Sequence, residues 1–186
     1  MRPIQISFEN LARVDGSARF ALGKTGALAS VSGPIEARLS AENPSQATFD
    51  VHLRPLSGVP ATDARSLSSS IRSALLPSLI LTQHPRTLIQ LVLLPLSQHR
   101  LTGIGSDHAL AAALVNASTL ALINAGSVPM RGIVTAVSVG LSTSTRELIV
   151  DPDEDRLSDL VASGCFAFFF ADGDTQCVWV DWKNVT

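Results

Sequence analysis

The sequence predicts a mixed α/β (α+β) domain: an antiparallel β meander, a helix, and then a β-α-β core whose sheet is covered by the two helices. Three observations carry this expectation. Over the first third, short runs follow the two-residue period of strands, with Gly, Pro, Asp and Asn between them. Around Thr62 the apolar period lengthens to that of a helix. From His108 to Asn124 the chain is apolar almost all round, so a helix there needs cover on every side.

The elements follow in order. Ile4–Phe8, Ser17–Leu22, Gly26–Val31, Ile35–Leu39 and Ala47–Leu53 are the expected meander strands, with turns at Asp15-Gly16, Gly23, Gly33-Pro34 and Asn43-Pro44. Between Thr62 and Leu76, residues Leu67, Ile71, Ala74 and Leu75 share one helix face, while Arg65, Ser69 and Arg72 lie elsewhere. Pro77 has no N–H to continue that helix and is expected to end or kink it. The dense run Arg86–Leu94 predicts a strand buried on both faces. Gly103-Ile104-Gly105-Ser106-Asp107 forms a turn into the long helix, with Ser106 or Asp107 as its cap, Gly126 as its stop and Pro129 beyond. Ile133–Leu141 and Glu147–Val150 form a hairpin around Ser142 to Thr145. The acidic segment Asp151–Asp159 then leads to two last strands, Cys165–Phe170 and Gln176–Trp182. No internal repeat or linker interrupts the pattern, so residues 1–186 form one domain.

Composition narrows the function classes. With 46% hydrophobic residues, 16% charged residues and a mean hydropathy of +0.29, the chain has apolar surface to hide and is expected to have a partner. A membrane is not the expected partner. Pro77, Thr82–Pro85 and Pro95 interrupt the richest apolar stretches before they reach the roughly 20 residues of a span. Met1–Gly16 carries Glu9 and Asp15 and lacks the apolar core of a signal peptide. A net charge of −2 gives no bulk electrostatic case for wrapping nucleic acid. Only Lys24 and Lys183 among the 14 basic residues are lysines. Arginine is the commoner interface residue, although genome composition produces the same bias. Cys165 and Cys177 are expected to be two buried free thiols.

Few stretches carry recognisable chemistry. The glycine turn Gly103-x-Gly105-Ser106 enters a helix, whose free N–H groups and dipole suit an anion. It resembles the G-x-G-S-S loop of the galactokinase and homoserine kinase group, but Asp107 replaces the second serine and would repel phosphate. Gly23-Lys24-Thr25 lacks the upstream glycine of a P-loop, because Ala18 stands there. His52 falls in a strand, His84 precedes Pro85, and His99 and His108 flank turns, so no histidine has a catalytic or metal-binding setting. No G-x-S-x-G elbow occurs. Asp151, Asp153, Glu154, Asp155 and Asp159 could pair carboxylates, but a solvated acidic turn is the simpler reading.

Several stretches together resemble one family. Arg13-Val14-Asp15-Gly16-Ser17-Ala18 with Gly23-x-Thr25, Arg54-Pro55-x-x-Gly58 and His84-Pro85-Arg86-Thr87 are similar to segments of the RNase PH-like subunits of the eukaryotic RNA exosome ring. So are Leu114-Val115-Asn116-Ala117 and Ala125-Gly126-x-Val128-Pro129-Met130-Arg131, with Ser127 as an extra residue in that turn. The resemblance implies the RNase PH fold, a β-α-β sandwich like domain 2 of ribosomal protein S5. It also implies a place in the nucleus, nucleolus and cytoplasm. The implied partners are the other RNase PH-like ring subunits, cap proteins and associated nucleases, with single-stranded RNA held weakly in the assembled channel. No cofactor or metal is implied. Relatives usually continue into a C-terminal helix packed on the sheet, which is not evident here.

Active members degrade RNA from its 3′ end by phosphorolysis, holding phosphate with a Gly-Gly-Thr-Arg element at the start of the long helix. The matching positions here are His108, Ala109, Leu110 and Ala111. Active members also end a strand with one aspartate and place a second about six residues on. Asp151 fits the first place and Leu157 falls at the second, with Asp155 or Asp159 as substitutes if the segment slips. Losing a charge-stabilising donor costs about 10²–10³ in rate, and losing a proton-transfer group about 10²–10⁴. The resemblance therefore implies a non-catalytic subunit, with Arg65 and Arg72 as candidate contacts to the RNA backbone. The alternatives are a working phosphorolytic exoribonuclease, a small-molecule kinase of the related fold, or an RNA-binding module acting alone. The last is disfavoured by the charge and by the absence of an aromatic stacking motif.

Overall fold

The computed structural model describes residues 2–97, 104–143, 146–153 and 159–184, with backbone only for 104–107. His99, Gly103, Glu154, Asp155 and Leu157 lie outside the described residues, as do the side chains of Ser106 and Asp107.

Three antiparallel strands open the chain: β1 (Ile4–Phe8), β2 (Gly16–Leu22) and β3 (Thr25–Glu36). The meander stops there. The expected strand Ile35–Leu39 does not form separately; Ile35 and Glu36 instead finish β3. A register shift between Ser32 and Ile35 absorbs the Gly33-Pro34 pair as a bulge, so the pair bends the strand without ending it. Gly33 has φ +141°, and a Cβ there would lie 2.8 Å from the Leu88 carbonyl oxygen, so only glycine fits.

The strand β4 (Thr48–Leu53) is also not part of the meander. It leads through α1 (Thr62–Leu75) to β5 (Thr87–Pro95), and β4 pairs with β5 in parallel. This is the β-α-β unit of the fold, placed earlier than the sequence pattern suggested. The helix α1 passes directly into a 3-10 turn, Leu76–Ser78, in which Pro77 occupies an early position that needs no N–H. The resulting sheet has the order β1-β2-β3-β5-β4. Ile89, Leu91 and Leu93 of β5 are buried, while Leu88, Gln90 and Val92 are half-buried. One face of β5 is thus fully buried and the other only partly, short of the two-faced burial expected of it.

The long helix α2 runs from Ile104 to Ala125. Ser106 and Asp107 therefore lie inside its first turn, past the N-cap position expected for them. Gly126, with φ +62°, takes the left-handed conformation that closes the helix. A second, antiparallel sheet follows: β6 (Ile133–Ser142), β7 (Leu148–Val150), β8 (Leu160–Ala171) and β9 (Asp174–Asn184), in the order β7-β6-β8-β9. The single helix-covered sheet of the expectation is thus two sheets.

Between them lies α2, packed on β2 and β3 from one side and on β6 and β8 from the other. This explains its apolar circumference. Ala111, Ala112, Ala113, Ala117 and Ala121 are buried, and their small side chains let both sheets approach. One core cluster joins Ala18, Phe20 and Val31 of the first sheet to Val134, Cys165 and Ala167 of the second through Leu114 and Leu122 of α2. By length and composition, His108–Ala125 is apolar enough to cross a membrane, which the reading of proline-broken stretches overlooked. In the fold it is a core helix, with 67% of that window buried. The outer face of the second sheet leaves Ile133, Leu148, Phe170, Val180 and Trp182 exposed.

Candidate functional site at the start of the long helix

The motifs that carry the family resemblance form the scaffold. Asp15 accepts a 2.7 Å hydrogen bond from the Gly33 N–H and so fixes the bulge in β3. Gly16 lets β2 press against the end of α2, because a Cβ there would overlap the Ala125 backbone nitrogen and lie 2.5 Å from the Ala121 carbonyl oxygen. The Ser17 hydroxyl donates to the Glu9 carbonyl. Asn116 exchanges two bonds with the backbone of Ala136, donating to its carbonyl at 2.9 Å and accepting from its N–H at 2.8 Å. The extra residue Ser127 donates to the Gly33 carbonyl at 2.6 Å, giving the lengthened turn a structural use.

The start of α2 is built differently. His108, only 1% exposed, lies inside the helix and not beside a turn. Its Nδ1 is 2.8 Å from the Ser163 hydroxyl on β8, and its Nε2 is 3.5 Å from Asp181 Oδ2 on β9. At that length the Nε2 contact is electrostatic and not a hydrogen bond; Nε2 has no hydrogen-bond partner among the described residues. Burial pushes the imidazole below its usual pKa, the Asp181 carboxylate pulls it back up, and the Lys183 ammonium pushes it down again. Ala109 and Ala111 are each 3% exposed, and Leu110 is half-buried. The positions that match Gly-Gly-Thr-Arg thus face the interior with one aromatic base and three apolar side chains.

Asp151 belongs to a second cluster. It follows β7 with φ +54°, and its carboxylate receives the Arg2 backbone N–H at 3.1 Å and Arg2 Nε at 3.0 Å, with Arg2 Nη2 in contact as well. Arg2 Nη1 donates at 3.1 Å to Thr25, the threonine of the Gly23-x-Thr25 motif. Both side chains are at least nine-tenths buried. The solvated acidic turn expected here is corrected at Asp151, which is a buried anchor for the N-terminal segment, whereas Asp153 and Asp159 are exposed.

Strand register separates the two clusters. Asp151 N–H bonds the Ser138 carbonyl, Ser138 pairs with Cys165, and Cys165 pairs with Asp181. Asp151 and Asp181 are therefore three strands apart, about 14 Å at the usual strand spacing. His108 is bonded to Ser163 on β8 and Asp151 to Arg2, and no hydrogen bond or ion pair joins the two clusters among the described residues.

The candidate RNA contacts on α1 also divide. Arg65 is exposed. Arg72 is exposed too, but its Nε donates at 2.8 Å to the Phe49 carbonyl on β4, so it helps to dock the helix. Cys165 is buried with its thiol pushed up to about 12, first by burial and then by Asp181. Cys177 is exposed on β9, against the expectation of two buried thiols, because a register shift beside Phe168 turns that stretch outward.

Ser163 and Asp181 drew no notice in the sequence. The only available signal was the two-residue period that puts Ser163 on the face of Cys165, and Asp181 on the face of Lys183. Nothing local says which helix that face meets.

The profile of the 3′ exoribonuclease family, domain 1 (RNase PH), matches residues 1–127. Exosome complex component RRP46 of Saccharomyces cerevisiae is 29% identical over 175 residues, which is 91% of this chain. Exosome complex component Rrp41 of Archaeoglobus fulgidus is 30% identical over 189 residues, covering 96% of this chain and 68% of that one. The chain spans 75%, 60% and 48% of the RRP46 relatives from Saccharomyces cerevisiae, rice and Schizosaccharomyces pombe. In crystal structures, rice Rrp46 superposes with a TM-score of 0.85 at 25% identity, covering 100% of this chain and 82% of that one. A chain matched through its first sheet and central helix, and superposed over its full length on a relative's fold, belongs to the 3′ exoribonuclease (RNase PH) family.

Proposed function

We propose that the chain is a non-catalytic, structural and RNA-channelling subunit of an RNA exosome ring, acting in 3′-to-5′ RNA processing and decay. The observation that carries this reading is the inward packing of His108, Ala109, Leu110 and Ala111 where active relatives hold phosphate. No guanidinium stands at Ala111, and side chains occupy both glycine positions. Asp151, the match to the first catalytic acid, is committed to Arg2. Its partners in this reading are the other RNase PH-like subunits, cap proteins and associated nucleases, in the nucleus, nucleolus and cytoplasm. Residues 1–186 act as one RNase PH-like domain, so thermal unfolding should show a single transition.

The deciding measurement is release of nucleoside diphosphates from single-stranded RNA on addition of inorganic phosphate. The reading expects none above a no-protein control. Phosphate-dependent release above that control would establish the second reading, a working phosphorolytic exoribonuclease. The exposed carboxylate of Asp159 is the observation that favours that reading.

Arg65 is the stronger of the two proposed RNA contacts, since Arg72 is engaged with β4. A phosphate contact is sequence-blind and contributes a slope of about −0.7 to the log–log salt dependence on single strands. Arg65→Ala should reduce the slope measured on the assembled ring by that amount. An unchanged slope removes Arg65 from the channel.

A further inference from the structure

The outer face of the second sheet has no part in the proposed function. Strand register defines it. Val139 of β6 pairs with Val150 of β7 and with Gly164 of β8, and Gly164 pairs with Trp182 of β9. Two residues along, Val137 pairs with Phe166, and Phe166 with Val180. Two residues the other way, Leu141 pairs with Leu148. Directly paired residues point to the same side of a sheet. Their neighbours Ser138 and Cys165 point to the other side and are buried towards α2. Among the described residues, no charged side chain interrupts the outer face. The open face of the first sheet is built otherwise. It carries Arg19, Asp50, His52 and Gln90, with Asp50 and His52 in contact at 3.1 Å, as suits a face left to water.

The outer face is also level. A Cβ on Gly164 would lie 2.5 Å from Trp182 Cε3, so glycine lets the indole lie across the sheet. There it meets the Phe166 ring at a centroid distance of 6.0 Å. Exposure is greatest on the outer strands: Leu148 and Val150 of β7 are 67% and 53% exposed, and Val180 and Trp182 of β9 are 50% and 39% exposed. Val137, Val139 and Phe166 between them are half-buried. Four strands span about 14 Å between the outer axes. A single helix, about 10–12 Å wide, laid along the middle strands would leave β7 and β9 open. Covering all four strands takes a surface equally wide and equally free of charge, and a second copy of this sheet is both.

We propose that two copies of the chain pair through this face, sheet against sheet, about a two-fold axis. Aligned sheets stack about 10 Å apart with their apolar side chains interdigitated. The exposed apolar side chains offer about 600 Å² per copy, so pairing buries about 1,200 Å², the lower end of the range for specific, stable interfaces. No like charges meet across the contact. The pairing is independent of the exosome reading and holds whether or not the chain is catalytic.

The test is sedimentation velocity of the full chain over about 1 to 100 µM, with a dimer expected at the upper end. Leu148→Lys and Val180→Lys each bring two lysines into a two-fold interface and should raise the dissociation constant at least about a hundredfold. Ser7→Lys, on the open face of the first sheet, should leave it unchanged. Leu148 and Val180 are exposed in a single copy, so both variants should keep the urea dependence of an intact fold. A monomer at the highest concentration overturns the pairing. A dimer that survives both lysines uses another surface and overturns it too. A chain that is monomeric alone, yet binds a different RNase PH-like subunit through Leu148 and Val180, gives the face to that partner and equally overturns it. If the lysine variants do not fold, Leu148→Ser decides: it should weaken pairing about tenfold, and an unchanged constant overturns the proposal.

Discussion

The two ends of α2 are held by different means. At the C-terminal end, contacts run to backbone: Asn116 to Ala136, Thr119 to Val134, Asn124 to Ser17, with Gly16 closed against Ala121 and Ala125. At the N-terminal end the visible tie runs side chain to side chain, from His108 to Ser163 and Asp181. Backbone partners do not change with substitution or pH, and they hold a helix in one register. Side-chain partners can be exchanged, and this is the end that carries the proposed loss of phosphate binding.

Four substitutions break or sharpen that contrast. Gly16→Val drives a side chain into the α2 backbone, which cannot retreat because the second sheet lies behind it. A loss of about 3 kcal/mol or more is expected in urea unfolding. Asn116→Ala strands the N–H and C=O of Ala136 and should cost about 2–3 kcal/mol with the same urea dependence, the mark of an intact fold. At the other end Ser163→Ala removes one neutral bond, for about 1 kcal/mol at pH 7.5. If Ser163→Ala cost more than Asn116→Ala, the division of labour along α2 would be reversed. Cys177→Ser touches neither end and should stay within about 0.5 kcal/mol. In the unmodified chain, one thiol should react promptly with an aromatic disulfide reagent while Cys165, buried with its pKa near 12, waits for denaturant.

Much of the fold was legible because each element writes its own period. Helix α1, the hairpin of β6 and β7, and strands β8 and β9 lie where the pattern put them, within a few residues. Pairing was not legible. Residues Thr48 to Leu53 look like any half-buried strand, and nothing in them says that they join β5 in parallel at the far edge instead of extending the meander. The bulge at Gly33-Pro34 misled for a related reason: Gly-Pro usually ends a strand, and here the partner strand absorbs the pair. At the candidate site, His108, Ala109, Leu110 and Ala111 could be read directly as the residues that stand where the resemblance implies Gly-Gly-Thr-Arg. The Arg2–Asp151 pair spans 149 positions and ties the segment before β1 to the residue after β7, so it has no local sequence signature. His108 was set aside beside a turn because the helix was started four residues late; once the helix begins at Ile104, the same residue points into the core.

The central position of α2 also bears on how the chain is made. A ribosome delivers α2 together with the first sheet, but the sheet that covers its other side ends at Asn184, about sixty residues later. At roughly 5–20 residues per second, this leaves an alanine- and leucine-rich surface open for several seconds. During that interval the nascent chain carries an uncovered helix of membrane-like hydropathy and an unfinished core. Expression of this protein should therefore depend on a holding chaperone at the ribosome exit far more than the stability of the finished fold suggests. Pausing translation between Ala125 and Leu160 should lower its soluble yield.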